Sequence, residues 1–285
     1  MKDKFGLLDV IIYILMGFVL VVILYPFLHV VAISFSSASY IVQGKVGIIP
    51  RGWNLDAYNY ILSGAQVPRA YLNTILYTTV GTSINLVMTA IMAYPLSKDH
   101  LVGRKVIMKL IIFTMFFSGG VIPTFLVVKG LGMINTMWSL VIPNAIWTME
   151  LLILVSFYRS LPISLWESAR LDGASEYRIL FQIYIPLSKA SLASIGLFYF
   201  MGHWNSYFLP LIYLNDSKKY PLQLILKDML ISDSSNISST VGESKMTSAG
   251  IKNATIVITM IPVLIVYPFV QRYFVQGVMI GSIKG

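Results

Sequence analysis

Residues 167–187 read ESARLDGASEYRILFQIYIPL, the longest charged and amphipathic segment between two strongly apolar runs. Glu167, Arg170, Asp172, Glu176 and Arg178 crowd into its first twelve positions. The rest of the chain is mostly hydrocarbon: 56% of its 285 residues are hydrophobic, 12% are charged, and the mean hydropathy is +0.76. Soluble domains carry about 25% charged residues. This composition implies an integral membrane protein, and a charged segment in such a protein must sit in water or against a partner.

A bilayer core takes roughly 20 apolar residues as helix. Windows at about 10–33, 72–93, 106–128, 137–157, 192–212 and 254–270 qualify. The expected fold is therefore all-α: six transmembrane helices in one bundle over 1–285, with no second domain or internal repeat. Pro26, Gly81, Pro123, Pro143, Gly196 and Pro262 fall within the windows, and spans tolerate such residues where neighbours satisfy the freed backbone groups. The excess of Lys and Arg on the cytoplasmic side orients membrane proteins. With both termini inside, Lys98, Arg104, Lys105, Arg159 and Lys189 lie in the second and fourth loops, close to the spans. That assigns the 159–189 loop and the 271–285 tail to the cytoplasm, N-in and C-in. The +9 charge is scattered over the loops without forming a patch, which argues against nucleic acid as a partner.

Outside the membrane, Asn54 can cap a short helix with Leu55, Tyr58, Ile61 and Leu62 on one face, a packing surface. Gly130 and Gly132 mark a tight hairpin, and the Ser-, Asn- and Thr-rich 232–248 stretch reads as mobile. Within 159–189, Pro162 suits a helix start, Leu161, Leu165, Trp166 and Leu171 offer an apolar face, and Gly173 breaks the helix. Ser175 with Arg178 can open a second helix. The shape expected is helix, glycine turn, helix.

Chemistry is mostly missing. No G-x-x-x-x-G-K-[ST], H-E-x-x-H or G-x-S-x-G occurs, so no nucleotide site, metal site or catalytic residue is expected. His29, His100 and His203 are scattered and read as packing residues, and there is no cysteine. Glu150, inside the fourth window, is a functional candidate because buried acids usually are. It could serve an ion-coupled carrier, or it could form a structural pair with Lys109.

At residues 167–187 the sequence resembles the permeases of ABC importers, whose "EAA loop" reads E-x-A-x-x-x-G, nine residues, I-x-x-P. Glu167, Ala169, Gly173, Ile183 and Pro186 fall on that pattern; Ser168 replaces the middle alanine and Ile185 the usual leucine. The runs Asp172-Gly173-Ala174, Ile185-Pro186-Leu187, Gly132-Met133-Ile134-Asn135-Thr136 and Trp204-Asn205 look like the carbohydrate, maltose-permease-like subgroup. The ending Gly281-Ser282-Ile283-Lys284-Gly285 is similar to that of the smaller maltose permease subunit. The resemblance implies a multi-pass protein of the bacterial plasma membrane, embedded in lipid, that carries oligosaccharides. Its implied partners are a second, different permease subunit, an ATPase dimer that binds ATP and Mg, and an extracellular solute-binding protein. This chain would bind no cofactor. Glu167, Ala169, Arg170, Asp172, Gly173, Pro186 and Lys284 would couple it to the ATPase. Permeases for polyamines, phosphonates or peptides share the loop pattern and remain an alternative. For the sugar pathway, aromatic faces and amides point to Trp204 and Asn205 first, then Tyr199, Tyr207, Asn144 and Trp147.

Overall fold

The computed structural model describes residues 6–235 and 247–281, which contain helices and no strand. The helices are α1 (Leu7–Ser34), α2 (Ala38–Val42), α3 (Asp56–Ser63), α4 (Gln66–Ser97), α5 (Arg104–Phe116), α6 (Val121–Gly130) and α7 (Trp138–Val141). After these come α8 (Thr148–Ser160), α9 (Ile163–Leu171), α10 (Glu176–Ile179), α11 (Ile185–Leu187), α12 (Lys189–Trp204), α13 (Phe208–Tyr213), α14 (Leu222–Ser235) and α15 (Ser248–Gly281). Two compact units share them, one from residues 1–68 with 225–261, the other from 69–224 with 262–285.

Among the described residues α1, α4 and α15 are long and apolar enough to cross a membrane singly. The third expected window, 106–128, is not one helix. It divides into α5 and α6, bent by 113°, because Gly119 and Gly120 interrupt it and Gly120 takes φ +83°. The fourth, 137–157, divides by 47° between Trp138–Asn144 and α8, where Pro143 sits in a 3-10 turn (Ile142–Asn144). The fifth window, 192–212, holds α12 and α13, which are separated at 205–207. α15 continues past the sixth window, which ends at about 270, into the 271–285 tail as far as Gly281.

In the first unit, residues 35–54 fold back on themselves. Ser37 and Asn54 donate backbone N–H groups to Arg51 and Phe35, and Phe35 stacks between Trp53 and Tyr58. Gly52 has φ +64°, and a Cβ there would meet Ser37 Oγ at 2.5 Å, so glycine is required on both counts. Asn54 Oδ1 accepts from the Asp56 N–H, but the N-cap position of α3 falls on Leu55, so Asn54 turns the chain into the helix from one residue before the expected cap. The expected apolar face is only partly buried: Ile61 is packed away, whereas Leu55 and Leu62 are exposed.

The second unit is organised on α4. Tyr77 joins Val128, Leu140, Tyr213 and Leu214 in one apolar cluster. Towards the other end Ala90, Ala93, Tyr94 and Leu96 join Leu151, Leu154, Tyr158, Ala169, Ile179, Tyr184 and Ile195 in a second. Between them α4 buries Thr78, Asn85 and Thr89. Small residues permit close approach, as in membrane helices generally. A Cβ at Gly81 would meet His203 Nε2 at 2.6 Å, and one at Gly202 would meet the Trp147 ring at 2.0 Å. Replacing Gly202 with Ala is therefore expected to force Trp147 aside and lower the fold's stability by about 1–3 kcal/mol, read as a drop in the thermal midpoint of the detergent-purified protein.

Candidate functional site

The 159–189 segment has the expected helix–turn–helix shape. α9 starts after Pro162 and ends in a Schellman motif: Ala174 N–H bonds to Ala169 O at 2.9 Å and Gly173 N–H to Arg170 O at 3.0 Å. Gly173 takes φ +76°, and nothing lies within 4 Å of a Cβ placed there. Conformation, not crowding, demands glycine at this bend. Ser175 Oγ then accepts from Arg178 N–H and caps α10, which leads through a π turn (Leu180–Tyr184) to α11 and Pro186.

α9 has two faces. Ala169 is buried in the cluster with Ala90 and Ala93, and Leu161 and Trp166 pack against it. Leu171, expected on that face, is instead 89% exposed, near Ile163 and Glu167. Glu167 and Asp172 are exposed and make no ion pair among the described residues. Arg170 is engaged within the chain: its guanidinium bonds Glu176 at 3.3 Å and lies 5.6 Å from the Trp166 ring centroid. Pro186 is exposed. Lys284 lies outside the described residues.

Beside this helix Lys98 occupies an aromatic box. Its Nζ donates to Tyr184 Oη at 2.6 Å and sits 4.2, 4.7 and 5.2 Å from the ring centroids of Tyr184, Tyr94 and Trp166. Burial pushes its pKa down to about 8, against the opposing pull of Glu176. For Glu176, burial alone would raise the carboxyl. Hydrogen bonds from Tyr94 and Trp166, with the charges of Arg170 and Lys98, outweigh that and leave it below the usual carboxylate range.

A cavity of about 120 Å³ opens between α4, the break before α8, and the α12–α13 junction. Of the six residues expected on a sugar path, Asn144 and Trp147 line it. Tyr199 and Trp204 do not: Tyr199 is fully buried with its hydroxyl 2.7 Å from Thr89 Oγ1, and Trp204, 2% exposed, packs on Tyr71 and Phe200. Asn205 and Tyr207 are exposed outside the lining. The lining also takes Thr74, Tyr77, His203 and Ser206, which hydropathy could not single out. His203 Nε2 donates to Asn85 Oδ1 at 2.6 Å, and Asn85 Nδ2 donates to Asn144 O at 2.6 Å. The two glycines facing His203 and Trp147 were the available signal. An aromatic face with convergent hydroxyl, amide and imidazole groups, and no charged side chain, suits a polyhydroxylated ligand.

Glu150, 8% exposed, lies in the first turn of α8, where a carboxylate complements the helix dipole. The expected pair with Lys109 is not formed; Lys109 is exposed on α5.

No protein-family model matches the chain. It is 43% identical to the polygalacturonan/rhamnogalacturonan transport system permease protein YtcP of Bacillus subtilis (strain 168), covering all of both chains. It is 43% identical to the protein LplC of the same organism, over 97% of this chain and 95% of that one. It is 27% identical to the diacetylchitobiose uptake system permease protein NgcG of Streptomyces coelicolor, over 93% and 85%. Among solved structures, it is similar to a chain of a bacterial ABC transporter involved in the import of the acidic polysaccharide alginate. That match has a TM-score of 0.88 and 32% identity, over 96% of this chain and all of the other.

The aromatic box predicts a pH dependence. The native Lys98 pKa of about 8 lies below the unfolded value of about 10.4. Between those values the unfolded chain holds the proton that the native chain has released, so stability from this group rises with pH across that window. Lys98→Met keeps the stem and removes the charge. Its thermal midpoint is expected to lack this rise when both proteins are followed from neutral pH upwards.

Proposed function

The chain belongs to the carbohydrate ABC transporter permeases, and from that footing we propose that it forms half the translocation pathway of an ATP-driven oligosaccharide importer, driven by a separate ATPase through residues 159–189. It is an integral protein of the cell membrane and a transport component, not an enzyme. Six spans, with both termini in the cytoplasm, form a single transmembrane domain. Three long helices, two bent pairs (α5 with α6, and Trp138–Asn144 with α8), and α12 with α13 over the fifth window support that count, and the Lys and Arg beside the second and fourth loops support the orientation. A second permease subunit, an ATPase dimer holding ATP and Mg, and an extracellular solute-binding protein complete the assembly. The tail with Lys284 reaches towards the ATPase.

The observation that carries the coupling reading is the two-faced α9. Its inner side is packed into the bundle through Ala169 and Trp166, while Glu167, Ile163 and Leu171 are left exposed. A carboxylate among apolar anchors suits a basic groove on a partner, helix-in-groove recognition. ATP closes the ATPase dimer, the docked helices move together, and the spans rock between inward and outward states, a rigid-body switch. Along the path, Trp147 offers a ring for stacking and Asn144 and Ser206 offer hydrogen bonds, while the Thr74 and Tyr77 hydroxyls and His203 Nε2 are engaged within the chain and shape the wall.

The importer reading predicts that a second permease and an ATPase co-purify with the chain. Glu167→Ala is expected to weaken ATPase docking by about 2–5 kcal/mol, the cost of truncating a buried interfacial ion pair. Gly173→Val forces a left-handed conformation on a side chain, at roughly 1–2 kcal/mol. Both should uncouple ATP hydrolysis from uptake in reconstituted vesicles offered a panel of neutral and uronate oligosaccharides. Normal uptake by both variants would overturn the coupling assignment.

A further inference from the structure

We propose that Glu176 is the positioning residue of a rigid joint through which movement of α9 reaches α4; this rests on the coupling reading above and adds which helix receives the motion. One carboxylate ties the two helices together. Glu176 Oε2 accepts from Tyr94 Oη on α4 at 2.5 Å and from Trp166 Nε1 on α9 at 3.2 Å, and Oε1 accepts from Arg170 on α9 at 3.3 Å. Lys98, one residue past the end of α4, binds the Tyr184 hydroxyl and lies over Tyr94, Trp166 and Tyr184. Tyr94 and Trp166 thus serve the anion and the cation together.

Apolar packing alone would fix the distance between α9 and α4, whose Ala169, Ala90 and Ala93 share one buried cluster. It would not fix the angle, because dispersion contacts are non-directional. Three hydrogen bonds converging on one carboxylate are directional and charge-assisted. The joint sits on the inner side of α9, while Glu167 is exposed, so load enters at one face and leaves at the other. The π turn at Leu180–Tyr184 supplies the Tyr184 hydroxyl, and such bulges recur at functional positions.

The chain has no cysteine, so in a complex whose other subunits are made cysteine-free, paired spin labels at Ser168→Cys on α9 and Ser83→Cys on α4, both exposed positions, report the distance between the two helices. The probes are Mg-ATP and orthovanadate. In the parent complex the distance is expected to be the same in the nucleotide-free and vanadate-trapped states. In Glu176→Ala, and in Tyr94→Phe, which removes a single hydroxyl, the trapped state should show a displaced and broadened distribution. A parent distance that changes on trapping overturns the joint, as does a distance in both variants matching the parent. A purely stabilising role lowers the yield of complex without moving the distance, and so counts against the proposal. Failure of the coupling reading is seen separately, as a parent chain that recovers no ATPase, and overturns both.

Discussion

A carbonyl freed inside a membrane helix must find a donor within the protein, because hydrocarbon offers none. At the break before α8 that donor is Asn85, whose amide reaches the Asn144 carbonyl at 2.6 Å. The same side chain accepts from His203 at 2.6 Å. One amide thereby satisfies a broken helix and holds α12 to α4. The break in turn makes the cavity, because a straight helix would not turn Asn144 and Trp147 towards the space bounded by Thr74, His203 and Ser206. The glycines at 81 and 202 make the approach possible by leaving room for an imidazole and an indole.

The other end of α4 solves a different problem. Charged residues must meet an apolar bundle without being left unpaired, since an isolated buried charge is costly. Glu176 and Lys98 are therefore enclosed by groups that are both apolar in bulk and polar at one point: the tyrosines at 94 and 184, and Trp166. Such side chains let the 159–189 segment be charged outside and continuous with the core inside. The outer surface keeps Glu167 and Leu171 for a partner, and the inner surface behaves as part of the bundle.

The two regions share α4, whose buried face changes character along its length. It is apolar at Tyr77, polar through Thr78, Asn85 and Thr89, and apolar again from Ala90 to Leu96. A hydropathy window averages over that face and sees only a span. The pairing of Asn85 with His203 was hidden for this reason: each lies inside a window of span length, and its partner is far away along the sequence. Arg170 carries a further contact of this kind. Besides the outward role its place in the loop motif implied, its half-exposed guanidinium meets Glu176, six residues on.

Local chemistry settled much of this protein in the sequence itself. Apolar windows of span length, Gly173 at a helix end, Ser175 ahead of Arg178, and the spacing from Glu167 to Pro186 are written over a few residues, and their consequences are local. They determined an all-helical membrane chain and a helix–glycine–helix loop of the ABC permease type. The tertiary structure decided where the spans break, which aromatics are buried and which line the cavity, and which charges in the loop are satisfied inside the chain. Those outcomes depend on pairs such as Asn85 with His203, 118 residues apart, and Tyr94 with Glu176, 82 apart. No periodicity encodes such a meeting; it exists only once the helices are packed.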